Sequence, residues 1–294
     1  MAYRNSSSAV RSPTVRRRRL ANELRRLREA AGLTIEQVAE TLECSSSKIS
    51  RIETASVNAI PRDVRDMLQL YGVAGDQLEE LRQLAREARQ KDGLYSEYRD
   101  IPNVTFADLE AVAESIDQYS LSLIPGFLQT PDYARTVLRA IRMDLRSQPE
   151  EIERRVEFRL ERQRRLTERL AHQDPPSLWM VLDEAVLRRL VGGREVMRAQ
   201  LERISEIAEM SNITIQVLPF DVGAHAGMDG EFTVMSFPDP IHPDVVFIEN
   251  TTSDLYLENA DAIRRYVQLF DHLRAAALDT SESLAFLTEV AKGL

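Results

Sequence analysis

The run Gly32–Glu53, GLTIEQVAETLECSSSKISRIE, constrains this chain most: two short amphipathic segments stand on either side of a two-residue break. Thr34 followed three residues later by Gln37 is a capping-box signature, and it opens a helix over 35–42 with Val38, Ala39 and Leu42 facing inward. Glu43-Cys44 leaves room only for a tight turn. Ser45 then caps a third helix running to about Glu53, with Ile49 and Ile52 on its buried side. Small Ala39 lets the two helices cross closely. Upstream, Leu20, Leu24, Leu27 and Ala31 recur at helical spacing over 16–31, and Gly32 follows where a left-handed C′ residue belongs. Downstream, Pro61 suits the first turn of a fourth helix reaching Tyr71, and a fifth runs from Asp76 to Arg89.

Two short helices joined by a tight turn form a helix-turn-helix unit, whose second helix enters the DNA major groove. Its exposed positions here are Ser46, Ser47, Lys48, Ser50 and Arg51, all hydrogen-bond donors and none acidic, which suits a phosphate-lined groove. Charge points the same way. Residues 1–65 hold 13 Lys and Arg against 7 Asp and Glu, while the rest of the chain holds 25 against 40, inside an overall net charge of −9. A basic head on an acidic body is the balance of a DNA-binding module fused to another domain. The run Arg16, Arg17, Arg18 and Arg19 is either a solvated helix start or a set of phosphate or minor-groove contacts. With a single cysteine, Cys44, the chain has no internal disulfide, and a small buried apolar role for it outweighs a redox one. No apolar run is long enough to span a bilayer, and the basic start lacks the apolar stretch of a secretory signal. A cytoplasmic protein is expected.

The same run resembles the helix-turn-helix of the phage-repressor-like (Xre) family over about 55 residues, in spacing, caps and the closing Ile-Ser-Arg-Ile-Glu. The resemblance implies that Ser46, Ser47 and Arg51 read bases, and that Thr34, Ser45 and nearby backbone amides hold phosphates. It also implies a buried structural ion pair between Arg28 and Glu53. Two positions depart from the family pattern. Ile35 stands where a phosphate-binding Gln is frequent, and Glu43 where a turn Gly is usual, which implies strain of about 1 kcal/mol.

Residues 91–104 lack periodicity and read as a linker, so the organisation expected is a disordered basic arm over 1–15, a helix-turn-helix domain over 16–90, the linker, and a second domain over 105–294. In that domain a helix is expected from Thr105 to Tyr119, another from Pro131 to about Met143 behind a Thr130 cap, and a long charged one over 150–171. Past Pro175-Pro176 the pattern changes to strands at 178–182, 213–218, 231–237 and 245–249, with a short one at 255–257. Helices are expected at 185–191, 194–210, 258–277 and 281–291. The fold class is therefore an all-α helix-turn-helix domain followed by an α+β domain with a small mixed sheet flanked by helices.

Chemistry in the second domain centres on the loop DVGAHAGMDGE, where Asp221, Gly223, His225, Gly227 and Asp229 make a candidate ligand or partner site. Its glycines fit neither dinucleotide nor P-loop spacing, and none of the four His pairs with a Cys or another His at metal-ligand spacing. Asp183-Glu184 at a strand end reads as a helix cap. No enzyme, cofactor or metal signature emerges, although an enzyme fused to a DNA reader stays as an alternative. IPGFLQTPDYARTVLRA, LWMVLDEAVLRRLVGGREVMRAQL, ITIQVLPFDVGAHAGMDGEFTVMSFPDP and DLYLE, in this order, resemble the second domain of WhiJ-like actinobacterial regulators. That resemblance implies an antitoxin-like regulator, often encoded beside a small partner protein, whose second domain senses that partner or a ligand. Two-fold operators make a homodimer on double-stranded DNA the expected assembly.

Overall fold

The computed structural model describes residues 13–89, 94–98, 100–101, 103–145, 148–238, 244–250 and 254–294. They form two compact units, the first made of the described residues up to Val112 together with Pro238, the second of Ala113–Phe237 with Asp244–Leu294.

In the first unit the described helices are α1 (Pro13–Ala30), α2 (Ile35–Thr41), α3 (Ser46–Glu53), α4 (Pro61–Leu70), α5 (Gly75–Glu87) and α6 (Val104–Glu110). Leu24, Val38, Ile49, Val64, Met67 and Leu68 are almost fully buried in one core, with Cys44 half-buried at its edge. Four helices stop in the same way. After α1, the Gly32 amide bonds Glu29 O (3.0 Å) and the Leu33 amide bonds Arg28 O (3.1 Å), a Schellman closure with Gly32 left-handed. α4 ends likewise at Gly72. α2 and α3 end in this motif too, but the left-handed residues are Glu43 (φ 48°) and Ala55 (φ 55°). A side chain there costs about 1–2 kcal/mol, so the C-termini of both helices of the helix-turn-helix hold strain that the other two helix ends avoid.

Of the expected basic arm, residues 1–12 lie outside the described residues, and the helix already includes Pro13. In the expected linker, Tyr95 and Ile101 are buried. Residues 90–93, 99 and 102 lie outside the described set.

The second unit is built on a six-stranded mixed sheet in the order β3-β2-β1-β4-β5-β6. The strands are β1 (Ser115–Ser120), β2 (Ser177–Asp183), β3 (Ile213–Leu218), β4 (Phe232–Ser236), β5 (Val245–Glu249) and β6 (Asp254–Leu257). β1, β2 and β3 are parallel, and β4, β5 and β6 add antiparallel on the other side of β1. The flanking helices are α7 (Pro131–Ile141), α8 (Pro149–Leu170), α9 (Glu184–Arg188), α10 (Arg194–Ala208), α11 (Ala260–Ala276) and α12 (Thr280–Lys292). α11 covers one face, where Phe270 and Leu273 pack on Tyr119, Val181 and Phe232. The outer edge of β3 is closed by the chain itself: the Val217 amide donates to Ser283 Oγ (2.9 Å), and Val217 O accepts from the Leu278 amide (2.9 Å).

One element differs from expectation. The helix read from Thr105 to Tyr119 stops at Glu110, begins after Asn103 in a left-handed conformation, and gives way to β1. β1 is a central strand with hydrogen-bonded neighbours on both sides, in register Tyr119↔Val181 and Tyr119↔Phe232. Its sequence, SIDQYS, is too polar to announce a central strand, and pairing on both edges overrides that weak local preference.

Candidate nucleic-acid interface

The starts of α2 and α3 are held by local bonds. Thr34 Oγ1 accepts the Gln37 amide (3.2 Å) while Gln37 Oε1 accepts the Thr34 amide (2.8 Å), and Ser45 Oγ accepts the Lys48 amide (3.2 Å). Each cap uses the hydroxyl as an acceptor, so the O–H donors of Thr34 and Ser45 remain available to a phosphate oxygen. Ile49 and Ile52 anchor α3 in the core. That leaves Ser46, Ser47 and Arg51 exposed on one side of the helix and Ser50 half-buried. Arg51 has one described polar contact, Nε donating to Ser47 O at 3.3 Å, so its outer guanidinium nitrogens face water. Lys48 differs: its ammonium reaches Asp63 on α4 at 2.7 Å.

α3 is braced from below. Arg28 Nε and Nη2 donate to Glu53 Oε1 and Oε2 at 2.8 and 2.9 Å, and Nη1 donates to Leu33 O at 2.8 Å. Both residues are buried. The hydrogen bonds to Glu53 raise the Arg28 pKa, and the fork ties the end of α1 to the end of α3 in one geometry. Beside the pair, burial pushes the Tyr71 phenol well above its ordinary value.

The basic run is engaged within its own unit. Arg16 pairs with Glu87 (3.3 Å) and Arg19 with Glu80 (2.8 Å), both on α5. Arg17 Nη1 donates to Asn58 Oδ1 at 3.4 Å, and burial lowers its pKa. All of Arg16, Arg17, Arg18 and Arg19 are half-buried. The acidic residues of α4 and α5 belong to this unit, so residues 13–89 carry 14 Lys and Arg against 12 Asp and Glu. The basic head read from residues 1–65 is therefore a nearly neutral unit with an acid-free exposed stripe on α3.

In the second unit, the loop between β3 and β4 folds as two short 3-10 turns, Phe220–Val222 and Ala226–Asp229. His225 lies against the carboxyl ends of β1 and β2. Its Nδ1 accepts the Gly227 amide (3.2 Å), and its Nε2 faces Asp183 Oδ2 at 3.6 Å. Tyr119 OH donates to the same carboxylate oxygen (3.4 Å), while Asp183 Oδ1 caps α9 through the Ala185 amide (2.9 Å). Burial, then the Asp183 charge, drives the Tyr119 phenol upward. Gly227 packs so closely that a Cβ there would lie 2.6 Å from the Tyr119 ring. Asp221, Gly223 and Asp229 are exposed. Of the five loop residues singled out in the sequence, His225 and Gly227 thus join one buried cluster and the other three face solvent.

Sequence reasoning missed a second buried arrangement. The irregular segment Ile124–Thr130 is held by glutamines from distant helices. Gln163 Nε2 donates to Gly126 O (2.7 Å) and Gln129 O (2.9 Å), and Gln200 donates to Leu128 O (2.7 Å) and accepts the Thr130 amide (2.7 Å). Gln129 itself donates to Ile124 O at 2.6 Å and accepts from Arg159. The only signal in the sequence is a lone Gln on the apolar side of a helix, which periodicity treats as noise.

Residues 104–289 match the model of a family described as a domain of unknown function, DUF5753. The chain belongs to this family. Residues 19–81 match a helix-turn-helix domain, which covers α2, α3 and the Arg28–Glu53 brace. No curated protein and no solved structure matches the chain. The Ile124–Thr130 clasp and the His225 cluster both fall inside the DUF5753 domain. Among the described residues there is no group of side chains able to hold a metal ion, and no helix long and apolar enough to cross a membrane.

Proposed function

We propose that this chain is a sequence-specific DNA-binding transcriptional regulator of Xre type, a cytoplasmic repressor that reads a palindromic operator as a homodimer. The observation that carries the proposal is the exposed side of α3, where Ser46, Ser47 and Arg51 offer donors with no exposed acid on the helix and the outer guanidinium nitrogens of Arg51 have no described partner. Phosphate contacts come from Thr34 and Ser45, whose hydroxyl protons are not used by their caps. The second domain, WhiJ-like in its motifs, senses a small partner protein encoded nearby, or a ligand, and no cofactor is needed. We read no enzyme in it and assign His225 a structural role, its Nδ1 bonded to its own loop at Gly227 and its Nε2 facing Asp183. An antitoxin whose main role is to sequester its partner would use the same two surfaces.

Selection of bound sequences from random duplex DNA tests this reading. The expected result is one enriched motif with two inverted half-sites whose centres lie about 34–36 Å apart or a multiple of that. Enrichment of a single half-site would remove the dimer, and no enrichment at all would remove the sequence-specific reader.

A further inference from the structure

The two most exposed large apolar side chains among the described residues, Phe220 (57% exposed) and Met228 (62%), lie on one loop. That loop is anchored along its length. Glu184 Oε2 accepts the Phe220 amide (2.8 Å), His225 bonds its own loop backbone and faces buried Asp183, and Gly227 abuts the Tyr119 ring. A mobile loop would leave apolar side chains in water by accident. Here a buried polar cluster holds the backbone that displays them, which is the preorganisation that makes a binding surface inexpensive to order. Phe and Met are also the side chains that fill a partner's apolar pocket well.

The charge around the loop specifies the partner. Asp221 and Asp229, exposed beside the two apolar side chains, have no described ion-pair partner, and the nearby Arg188 is engaged by Glu184, whose other oxygen holds the Phe220 amide. Such a surface attracts cations and repels nucleic acid.

We propose that Phe220 and Met228, flanked by Asp221 and Asp229, are the docking surface for a basic protein segment that carries an apolar pocket or anchor rimmed by Lys and Arg. This rests on the proposed partner-sensing role of the second domain and names its site and the chemistry of its partner.

The test uses the full chain as bait for a phage-displayed library of random peptides, about 16 residues long, with the enriched peptides then titrated in solution. The expected peptides are net positive with apolar residues. They lose at least tenfold in affinity on the Phe220→Ser/Met228→Ser double variant, keep their affinity on Leu190→Ser, and lose salt sensitivity on Asp221→Asn/Asp229→Asn. Both changed apolar side chains are largely in water, so the double variant is expected to melt and bind DNA as the parent does. Peptides that bind the double variant undiminished, acidic peptides, or no enrichment would overturn the proposal. Loss of self-association in the double variant, read by sedimentation, would also overturn it and make the loop a contact between copies. Peptides lost on Leu190→Ser instead would leave a partner-sensing domain standing without this loop. Failure of the parent to bind DNA would strike the regulator reading and leave the loop measurement untouched.

Discussion

The two units satisfy their buried and terminal polar groups by different means. In the helix-turn-helix unit the partners are close in sequence: Thr34 with Gln37, Ser45 with Lys48, and helix ends closed on their own last turns. In the second unit the partners are far apart: Gln200 holds Leu128 and Thr130 from α10, and Tyr119 meets Asp183 and His225 only once three segments have assembled. Local bonding leaves a pattern in the sequence and long-range bonding does not. It also sets where a single substitution does damage, because a locally capped helix end can fall back on water whereas a buried backbone group cannot.

The exception inside the first unit gives the largest expected effect. Arg28 and Glu53 are distant in sequence and buried, so Glu53→Ala leaves an uncompensated guanidinium and is expected to cost about 3–5 kcal/mol in chemical denaturation. Replacing both residues with Leu and Met is expected to cost much less. An equal cost for the double change would mean that packing, not charge, dominates there. Gln200→Ala comes next, at roughly 2–4 kcal/mol, since it strands the Leu128 carbonyl and the Thr130 amide together. A loss below about 1 kcal/mol would remove the contrast between the units.

A pH measurement sharpens the comparison further. Burial on the α11 side of β1 pushes the Asp117 carboxyl up to about 6, with Arg274 opposing and Asp271 adding to the shift. The folded chain therefore holds this proton more tightly than the unfolded chain, so stability falls as pH rises from about 4 through about 6. Asp117→Asn is expected to add roughly 1–2 kcal/mol at pH 7.5 and almost nothing at pH 4. Melting at both values checks the sign. The smallest effect belongs to the strained turn: Glu43→Gly relieves a left-handed Glu and is expected to stabilise by up to about 1 kcal/mol, less the entropy glycine adds to the unfolded chain. Destabilisation by this change would mean that the Glu43 side chain does more in the turn than its φ indicates.

The same contrast explains what the sequence made legible. The caps at Thr34, Ser45 and Thr130 and the strands β3 and β5 could be read because their signals span a few residues. The strand β1 was hidden because Ile116 and Tyr119 stand three residues apart, a helical spacing that places them on opposite faces of a strand, Asp117, Gln118 and Ser120 are polar, and its neighbours β2 and β4 lie far along the chain. Arg16–Arg19 looked like an open basic run because Glu80 and Glu87, which pair with two of them, are more than 60 residues away. Ala55 in a left-handed conformation carried no signal at all, while Glu43 did, because a glycine is the usual occupant of its turn. In the candidate site, the exposed donors of α3 were visible from helical spacing alone. The commitment of Lys48 to Asp63 was not.

In the proposed regulator, reading of DNA by α3 and not by the basic run of α1 is open to direct test. It is tested most directly by titrating a selected operator duplex and a scrambled duplex with the parent, Arg51→Ala and Arg19→Ala, each at two salt concentrations. Arg51→Ala is expected to lose about 1–3 kcal/mol on the operator and little on scrambled DNA, while Arg19→Ala, which removes a side chain already paired with Glu80, is expected to change neither appreciably. Equal losses on both duplexes for Arg51→Ala, or a larger loss for Arg19→Ala, would contradict it.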